Sequence, residues 1–254
     1  MLARAQGALL GQLAGDALGS LVEFRPAREI RAACPGGVRE LRDGGHWGTL
    51  AGQPTDDSEM ALALARSIVR EGGFDAARIG ALHLAWRDSR PFDIGETTAD
   101  GIRAIAAGRP ARSESQANGA LMRVSPVGIF AAGRPALAAR VGAADAGLTH
   151  PHPVCRAAAA AFAAAFAAGI AGADAEGMWA AAHAHAGERN GADKVRGTLE
   201  AARRCPPEHF QTQMRWVRIA LGNAFHRLLS GAPLEEAVIA TVSEGGDTDT
   251  NAAI

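Results

Sequence analysis

The chain has no tyrosine, a single lysine (Lys194) among 26 basic residues, and only three cysteines, Cys34, Cys155 and Cys205, in 254 residues. Cysteines so few, so far apart and odd in number exclude a disulfide framework and a cysteine zinc site. Val and Ile are sparse, and no segment alternates apolar and polar residues for long, which argues against sheet. Charge of either sign is not in excess: the formal net charge of −1 lacks the footprint of a nucleic-acid-coating protein. The start, from Met1 to Gly7, lacks a long apolar run with a cleavage site, so a cytoplasmic protein is expected. The longest apolar stretch, Ala157 to Ile170, is nearly all alanine. It reads as too short and too weakly hydrophobic to span a bilayer, and is expected to be a buried helix.

What is present is an ordinary globular balance, 48% hydrophobic and 21% charged residues, at a length that buries a core without staples. The abundance of Ala and Arg reads as compositional bias. Helical spacing recurs along the chain. Leu2 to Leu21 carries glycine every fourth residue at Gly7, Gly11, Gly15 and Gly19. Each costs roughly 1 kcal/mol of helix propensity against Ala, so close packing on another backbone is expected. Pro26 to Pro54 reads as a long functional loop. Further helices are expected at Met60–Arg70, Asp75–Arg87, Thr97–Ala107, Pro135–Gly147, the alanine-rich stretch, Ala173–Ala186, Asp193–Arg204, Pro207–Ser230 with an interruption allowed, and Leu234–Thr241. Ser113–Pro126 reads as irregular, and Pro151 and Pro153 as breakers. The expectation is all-α, one domain over residues 1–254. Because a helical pattern starts at Thr250, a missing natural C-terminal part is part of that expectation.

Two short segments carry the chemistry: Thr55-Asp56-Asp57-Ser58-Glu59 and Glu244-Gly245-Gly246-Asp247-Thr248-Asp249-Thr250-Asn251. Each is a turn feeding a helix. One such cluster alone reads as helix capping. A cap needs one carboxylate, however, and adjacent carboxylates repel. Two matching clusters suit a hard divalent cation, which takes several oxygen ligands. If the loops meet, Mg²⁺ or Mn²⁺ fits, with room for two ions; no His or Cys pattern competes for zinc.

These segments, with Gly15-Asp16-Ala17-Leu18-Gly19 and Glu23-Phe24, Asn118-Gly119 with Met122-Arg123, and Thr149-His150-Pro151, occur in an order that resembles the ADP-ribosylglycohydrolases from Gly7 to Ile254. The resemblance implies an all-helical domain with a metal-containing cleft. It further implies two divalent ions, Mg²⁺ or Mn²⁺, and hydrolysis of the bond between ADP-ribose and a modified group. The arginine-linked substrate class is favoured, and the partner is an ADP-ribosylated protein or small ADP-ribose conjugate, not nucleic acid or membrane. By similarity the metal ligands are Thr55, Asp56, Asp57, Asp247, Asp249 and Thr250, with Asp249 placed to bridge.

Glu23 and Asp93 are the acidic residues implied for catalysis; the bland readings are a surface Glu at a helix end and an N-cap before Glu96-Thr97-Thr98. Gly95, Asn118, Gly119, Met122 and His150 are implied to line the substrate cleft. Asp16 is expected to hold neighbouring loops, and Arg123 to brace the Asn118-Gly119 loop or meet phosphate, with a solvated arginine the equal alternative. His46-Trp47 fits either a cleft cover or a core anchor. Trp86, Trp179 and Trp216 read as packing residues. The alternatives are linkage to serine or a small ADP-ribose derivative, a catalytically silent ADP-ribose-binding module, and a metal-dependent phosphoesterase.

Overall fold

The computed structural model describes residues 1–187 and 191–254, which form thirteen helices and no strand among the described residues. They run α1 (Leu2–Gly19), α2 (Ala27–Ala33), α3 (Asp56–Glu71), α4 (Ala76–Asp88), α5 (Glu96–Ala106), α6 (Ser125–Phe130), α7 (Pro135–Thr149), α8 (Pro153–Ala171), α9 (Ala175–His185), α10 (Ala192–Ala202), α11 (Val217–Ser230), α12 (Leu234–Val242) and α13 (Thr248–Ala253). The punctuation is the expected kind. Gly72 ends α3 in the left-handed conformation at φ 68°. The Asp75 carboxylate accepts from the Ala77 and Arg78 amides to start α4. His152, between the two breaking prolines, accepts from the Val154 amide and starts α8.

Three local expectations are corrected. α3 begins at Asp56 rather than Met60, because the acidic residues occupy its first turn, where the helix dipole favours them. The short helix α2 lies inside the segment that read as loop, and α6 starts at the end of the stretch that read as irregular and runs on through residues given no element; at seven and six residues they are too short for a periodic pattern. The helix expected from Pro207 begins only at Val217, since the preceding stretch folds into turns.

The core gathers around α8, which packs against α6, α7, α9, α10 and α11. Leu64, Ile79, Leu121, Val127, Leu199, Leu221 and Phe225 join its alanines in one cluster. The argument that α8 is too short to cross a membrane is corrected: with nineteen residues and a mean hydropathy of 1.8, length and composition would suffice. Burial settles the matter, since 72% of that window lies inside the protein.

The small-residue stripe of α1 has a definite partner. A Cβ at Gly15 would collide with the Ala252 carbonyl, and one at Gly19 would lie 2.5 Å from the Asp249 backbone. The α13 backbone therefore lies directly on α1, and Thr248 Oγ1 donates to the Gly19 carbonyl at 2.7 Å. Gly19→Ala is expected to lower the melting temperature by about 5 °C through overpacking. Gly7→Ala, where nothing lies within 4 Å, should leave it unchanged or slightly raised. Paired thermal melts check this, and equal behaviour of the two variants would refute it.

Candidate active site

The contact between α1 and α13 brings the two acidic segments together. Asp56 and Asp57 open α3, Asp247 is the N-cap of α13, and Asp249 and Thr250 lie in its first turn. The approach to α13 turns sharply at Gly245 (φ 72°) and Gly246 (φ 80°), a left-handed pair that side chains rarely adopt. That turn is tied to the end of α1 by Phe24 N–H donating to the Gly246 carbonyl at 2.7 Å.

Asp16 and Thr55 bind the floor of the site. The Asp16 carboxylate accepts from the Thr55 amide, the Thr55 hydroxyl and the Ser58 amide, at 2.9, 2.9 and 3.0 Å. It thus holds the neighbouring loop, as expected of a buried carboxylate flanked by small residues. Thr55 Oγ1 lies 3.1 Å from Asp57 Oδ2 and 3.4 Å from Asp249 Oδ2, and Thr250 Oγ1 lies 3.3 Å from Asp57 Oδ2. All six residues implied as ligands are buried and meet in one volume. Asp56, Asp247, Asp249 and Thr250 face an open cleft of about 680 Å³, whereas Thr55 and Asp57 lie behind its surface.

Glu23 enters the same group. Its carboxylate, with those of Asp247 and Asp249, offers oxygens all within 4.8 Å of one another. It is 4% exposed, which removes the reading of a surface residue. Asp93 also faces the cleft, and α5 is capped by Gly95 without a side-chain bond, so Asp93 is no N-cap.

The electrostatics are lopsided. Seven carboxylates, of Asp16, Glu23, Asp56, Asp57, Asp93, Asp247 and Asp249, raise one another's pKa values or are raised by burial. Burial, then Asp93 and Asp247, push Glu23 up to about 8. Burial, then Asp247, raise Asp93 to about 6. For Asp56, Asp57 and Asp249 burial acts first and neighbouring carboxylates add to it, holding all three well above the usual range. Arg215 opposes the trend at Asp93 and Asp247. The residues fit a hard divalent cation on chemistry alone: the donors are all oxygen, their charges repel, and Asp57 Oδ1 is buried without a hydrogen-bond partner.

The remaining implied residues surround the acids. Asn118 Nδ2 donates to Asp247 Oδ2 at 2.6 Å, joining the middle of the chain to the acidic cluster. A Cβ at Gly119 would stand 3.1 Å from the His150 ring, so glycine is needed for that approach. Gly95, Met122 and His150 line the cleft with them. Burial, then the Arg123 charge, lower His150 to about 3; at neutral pH it is uncharged and binds through Nδ1 to Thr149 Oγ1 at 2.8 Å. Arg123 proves to be the brace and not a phosphate contact. Fully buried, it pairs with Asp145 at 2.9 Å and donates to the Gly119 carbonyl at 3.1 Å.

His46 and Trp47 belong to the cleft. Trp47 Nε1 donates to Glu23 Oε2 at 2.7 Å, and the rings of Phe24, His46, Trp47 and Phe92 follow one another edge to face or tilted along the rim. Trp86 and Trp179 sit on helices, bonding to Glu59 and to the Leu199 carbonyl. Trp216 packs against the main core as expected and, as the N-cap of α11, also lines the cleft beside Arg215. Sequence reasoning missed Arg215, Phe24 and Phe92 as cleft residues. Phe24 has a left-handed backbone at φ 63°, which no sequence pattern announces.

The comparisons with known proteins agree with this geometry. The chain is 34% identical over 257 residues to the ADP-ribosyl-[dinitrogen reductase] glycohydrolase of Rhodospirillum rubrum, covering 99% of this chain and 82% of that protein. It is 33% identical over 141 residues to the ADP-ribosylarginine hydrolase Tri1 of Pseudomonas putida, covering 51% of this chain and 36% of that one. A solved structure described as an ADP-ribosylglycohydrolase-related protein complex superposes with a TM-score of 0.82 at 29% identity, over 98% of this chain and 83% of that one. The ADP-ribosylglycohydrolase family model matches residues 1–254. An all-helical frame, two acidic turns closing on one cleft and a family match along the whole chain lead to one assignment: this chain belongs to the ADP-ribosylglycohydrolase family.

Proposed function

We propose that this protein is a divalent-cation-dependent hydrolase that releases ADP-ribose from ADP-ribosylated protein, with arginine-linked ADP-ribose its first substrate. The observation that carries the reading is the convergence of Asp56, Asp247 and Asp249 with Glu23 on one cleft, with Asp57 buried just behind them. Thr55, Asp56, Asp57, Asp247, Asp249 and Thr250 would hold two ions, Mg²⁺ or Mn²⁺, with Glu23 near enough to share one. Bound there, the ions would supply positive charge to fix ribose hydroxyls and stabilise the transition state.

The chain's own groups do the rest. Asn118, Gly119 and His150 define the wall against which the ribose lies, and the uncharged His150 accepts or donates without competing for a proton. The rim of Phe24, His46, Trp47 and Phe92 narrows access by water. Cleavage breaks the bond from the anomeric carbon to the guanidine nitrogen and joins a water oxygen to that carbon, through an oxocarbenium-like transition state. The water's proton passes to a carboxylate, Glu23 or Asp93, and the departing guanidine takes up a proton. Asp93 faces the cleft beside Asp56 and would orient the leaving group. The relative named for ADP-ribosylarginine supports the choice of linkage, and the one named for dinitrogen reductase supports a protein substrate.

The test is release of free ADP-ribose from arginine-ADP-ribosylated protein after chelation, with and without added Mn²⁺ or Mg²⁺. Release that returns only with the cation is expected, and arginine-linked substrate should turn over faster than serine-linked. Faster turnover of serine would overturn the linkage. Saturable ADP-ribose binding with no release under any cation would identify a silent binding module.

A further inference from the structure

Glu23 is surrounded by charges of its own sign. It lies in the turns that follow α1. Its carboxylate and those of Asp247 and Asp249 have oxygens within 4.8 Å of one another, and Asp93 adds a further like charge. Repulsion of this kind drives a side chain to another rotamer, where its charge stands farther off. Yet Glu23 is buried and faces the cleft. Something has to hold it there.

The hold is the indole of Trp47, whose Nε1 donates to Glu23 Oε2 at 2.7 Å. Among the described residues it is the one N–H bonded to this carboxylate. A hydrogen bond to an ionised acceptor is the stronger kind. An indole N–H donates only, so the bond fixes the carboxylate without taking part in proton transfer. It takes Oε2 and leaves Oε1 unclaimed.

The indole is itself fixed. The His46 ring stands edge-on to it, with centroids 4.6 Å apart, and the Phe92 ring is tilted against it at 5.9 Å. Its backbone belongs to a tight turn, residues 44–49, in which Gly44 and Thr49 bond each other in both directions at 2.8 and 2.9 Å. The Thr49 hydroxyl adds a bond to the Gly44 carbonyl at 3.2 Å. The turn is pressed onto the end of α1: a Cβ at Gly45 would stand 2.6 Å from the Ser20 carbonyl oxygen and 2.9 Å from Leu21 Cα. Ser20 and Leu21 lead directly into Glu23. Donor and acceptor are therefore mounted on the same piece of backbone.

We propose that Trp47 is the positioning residue of Glu23: its indole N–H fixes the carboxylate in the rotamer that faces the cleft, and the 44–49 turn delivers it. The effect on turnover rests on the hydrolase reading above; the bond itself does not.

The test separates the donor from the bulk. Trp47→Phe keeps an aromatic ring between His46 and Phe92 and removes the N–H. Its kcat is expected to fall about 20-fold, the worth of one hydrogen bond to a charged group. KM should move by less than about 3-fold, and the melting temperature by less than about 2 °C. Trp47→His keeps an N–H at the same place in a five-membered ring and gives up the outer ring, so it should recover most of the lost turnover. In a Glu23→Ala chain, Trp47→Phe should change the remaining turnover by less than about 2-fold, because nothing is left to position. An unchanged kcat in Trp47→Phe, an equal loss in the Glu23→Ala chain, or Trp47→His no better than Trp47→Phe would overturn the proposal. The indole N–H signals of the four tryptophans, read by NMR in the metal-free protein, need no substrate. The signal that vanishes in Trp47→Phe should move upfield in Glu23→Ala, and a signal indifferent to Glu23→Ala would show that no such hold exists. An unmodified chain that releases no ADP-ribose would remove the proposed function, while the indole signal would still decide whether Glu23 is held.

Discussion

Asp249→Asn is expected to cut glycohydrolase turnover by about 1000-fold or more, with the fold intact. Asp249 accepts from the Thr250 amide through Oδ1 at 2.8 Å and faces the Thr55 hydroxyl through Oδ2. It also completes the oxygen cluster with Glu23 and Asp247. Asparagine keeps the shape, but removes one negative charge and turns one acceptor into a donor aimed at the place where a cation would sit. Losing the charge stabilisation that such a site provides is a matter of several kcal/mol, and about 4 kcal/mol is three orders of magnitude in rate. Mn²⁺ affinity measured by calorimetry should fall by at least about 10-fold in the same variant. Turnover within about 10-fold of the unmodified protein, together with unchanged Mn²⁺ affinity, would remove Asp249 from the site. The metal-free variant should be no less stable than its parent at pH 8, because a repelling charge has gone. That expectation separates a chemical defect from misfolding.

The second large effect concerns stability against pH. In the metal-free protein Glu23 is raised from an ordinary 4.5 to about 8, and Asp93 from 3.8 to about 6. Between the ordinary and the raised values the folded state holds protons that the unfolded state has released. Stability from these groups is therefore complete below about pH 4 and is lost as pH rises through about 6 and then about 8. At about 1.4 kcal/mol per pKa unit, the two together cost several kcal/mol. A fall of about 10 °C in melting temperature between pH 5 and pH 9 follows, measured in a chelating buffer. Glu23→Gln removes the larger of these two contributions, so its curve should be flatter and should lie above the parent's at pH 8. Saturating Mn²⁺ should reverse the slope, since a cation stabilises the ionised carboxylates that the empty cluster resists. A metal-free melting temperature that rises steadily to pH 9, or a Glu23→Gln curve parallel to the parent's, would contradict the raised values.

The same residues show how far the primary structure could be read. Asp56-Asp57 and Asp247-Thr248-Asp249-Thr250 were visible as excess carboxylates at two helix starts, because caps do not need so many. Glu23 was visible only through family resemblance, and its burial only in three dimensions: nothing local says that Trp47 folds back to bond it. Trp216 shows the opposite limit. Its neighbours have helical spacing, so it read as a packing residue, and it does pack on the core; what the spacing did not show is that the interruption before Val217 also sets it on the rim of the cleft.

Arg123 had three readings, loop brace, phosphate contact or solvated side chain, that side-chain chemistry cannot separate. A guanidinium with no exposure, paired with Asp145 and bonded to the Gly119 carbonyl, is committed to the first. The mostly apolar groove on the other side of α13 was not legible at all. Its walls come from six helices, α1, α8, α9, α11, α12 and α13, and the unpaired amides of Asn223 and Asn251 are unremarkable until burial removes their water.

By itself the sequence determined helical class, most helix positions and the chemistry of the two acidic turns, since periodicity, caps and excess charge are local properties of the chain. Tertiary structure decided which of these charges share one volume, which side chains face the cleft, and which pKa values move. Those depend on distances between segments up to 230 residues apart, Gly19 to Asp249, and on the exclusion of water. Neither quantity exists until the backbones of α1 and α13 are in contact.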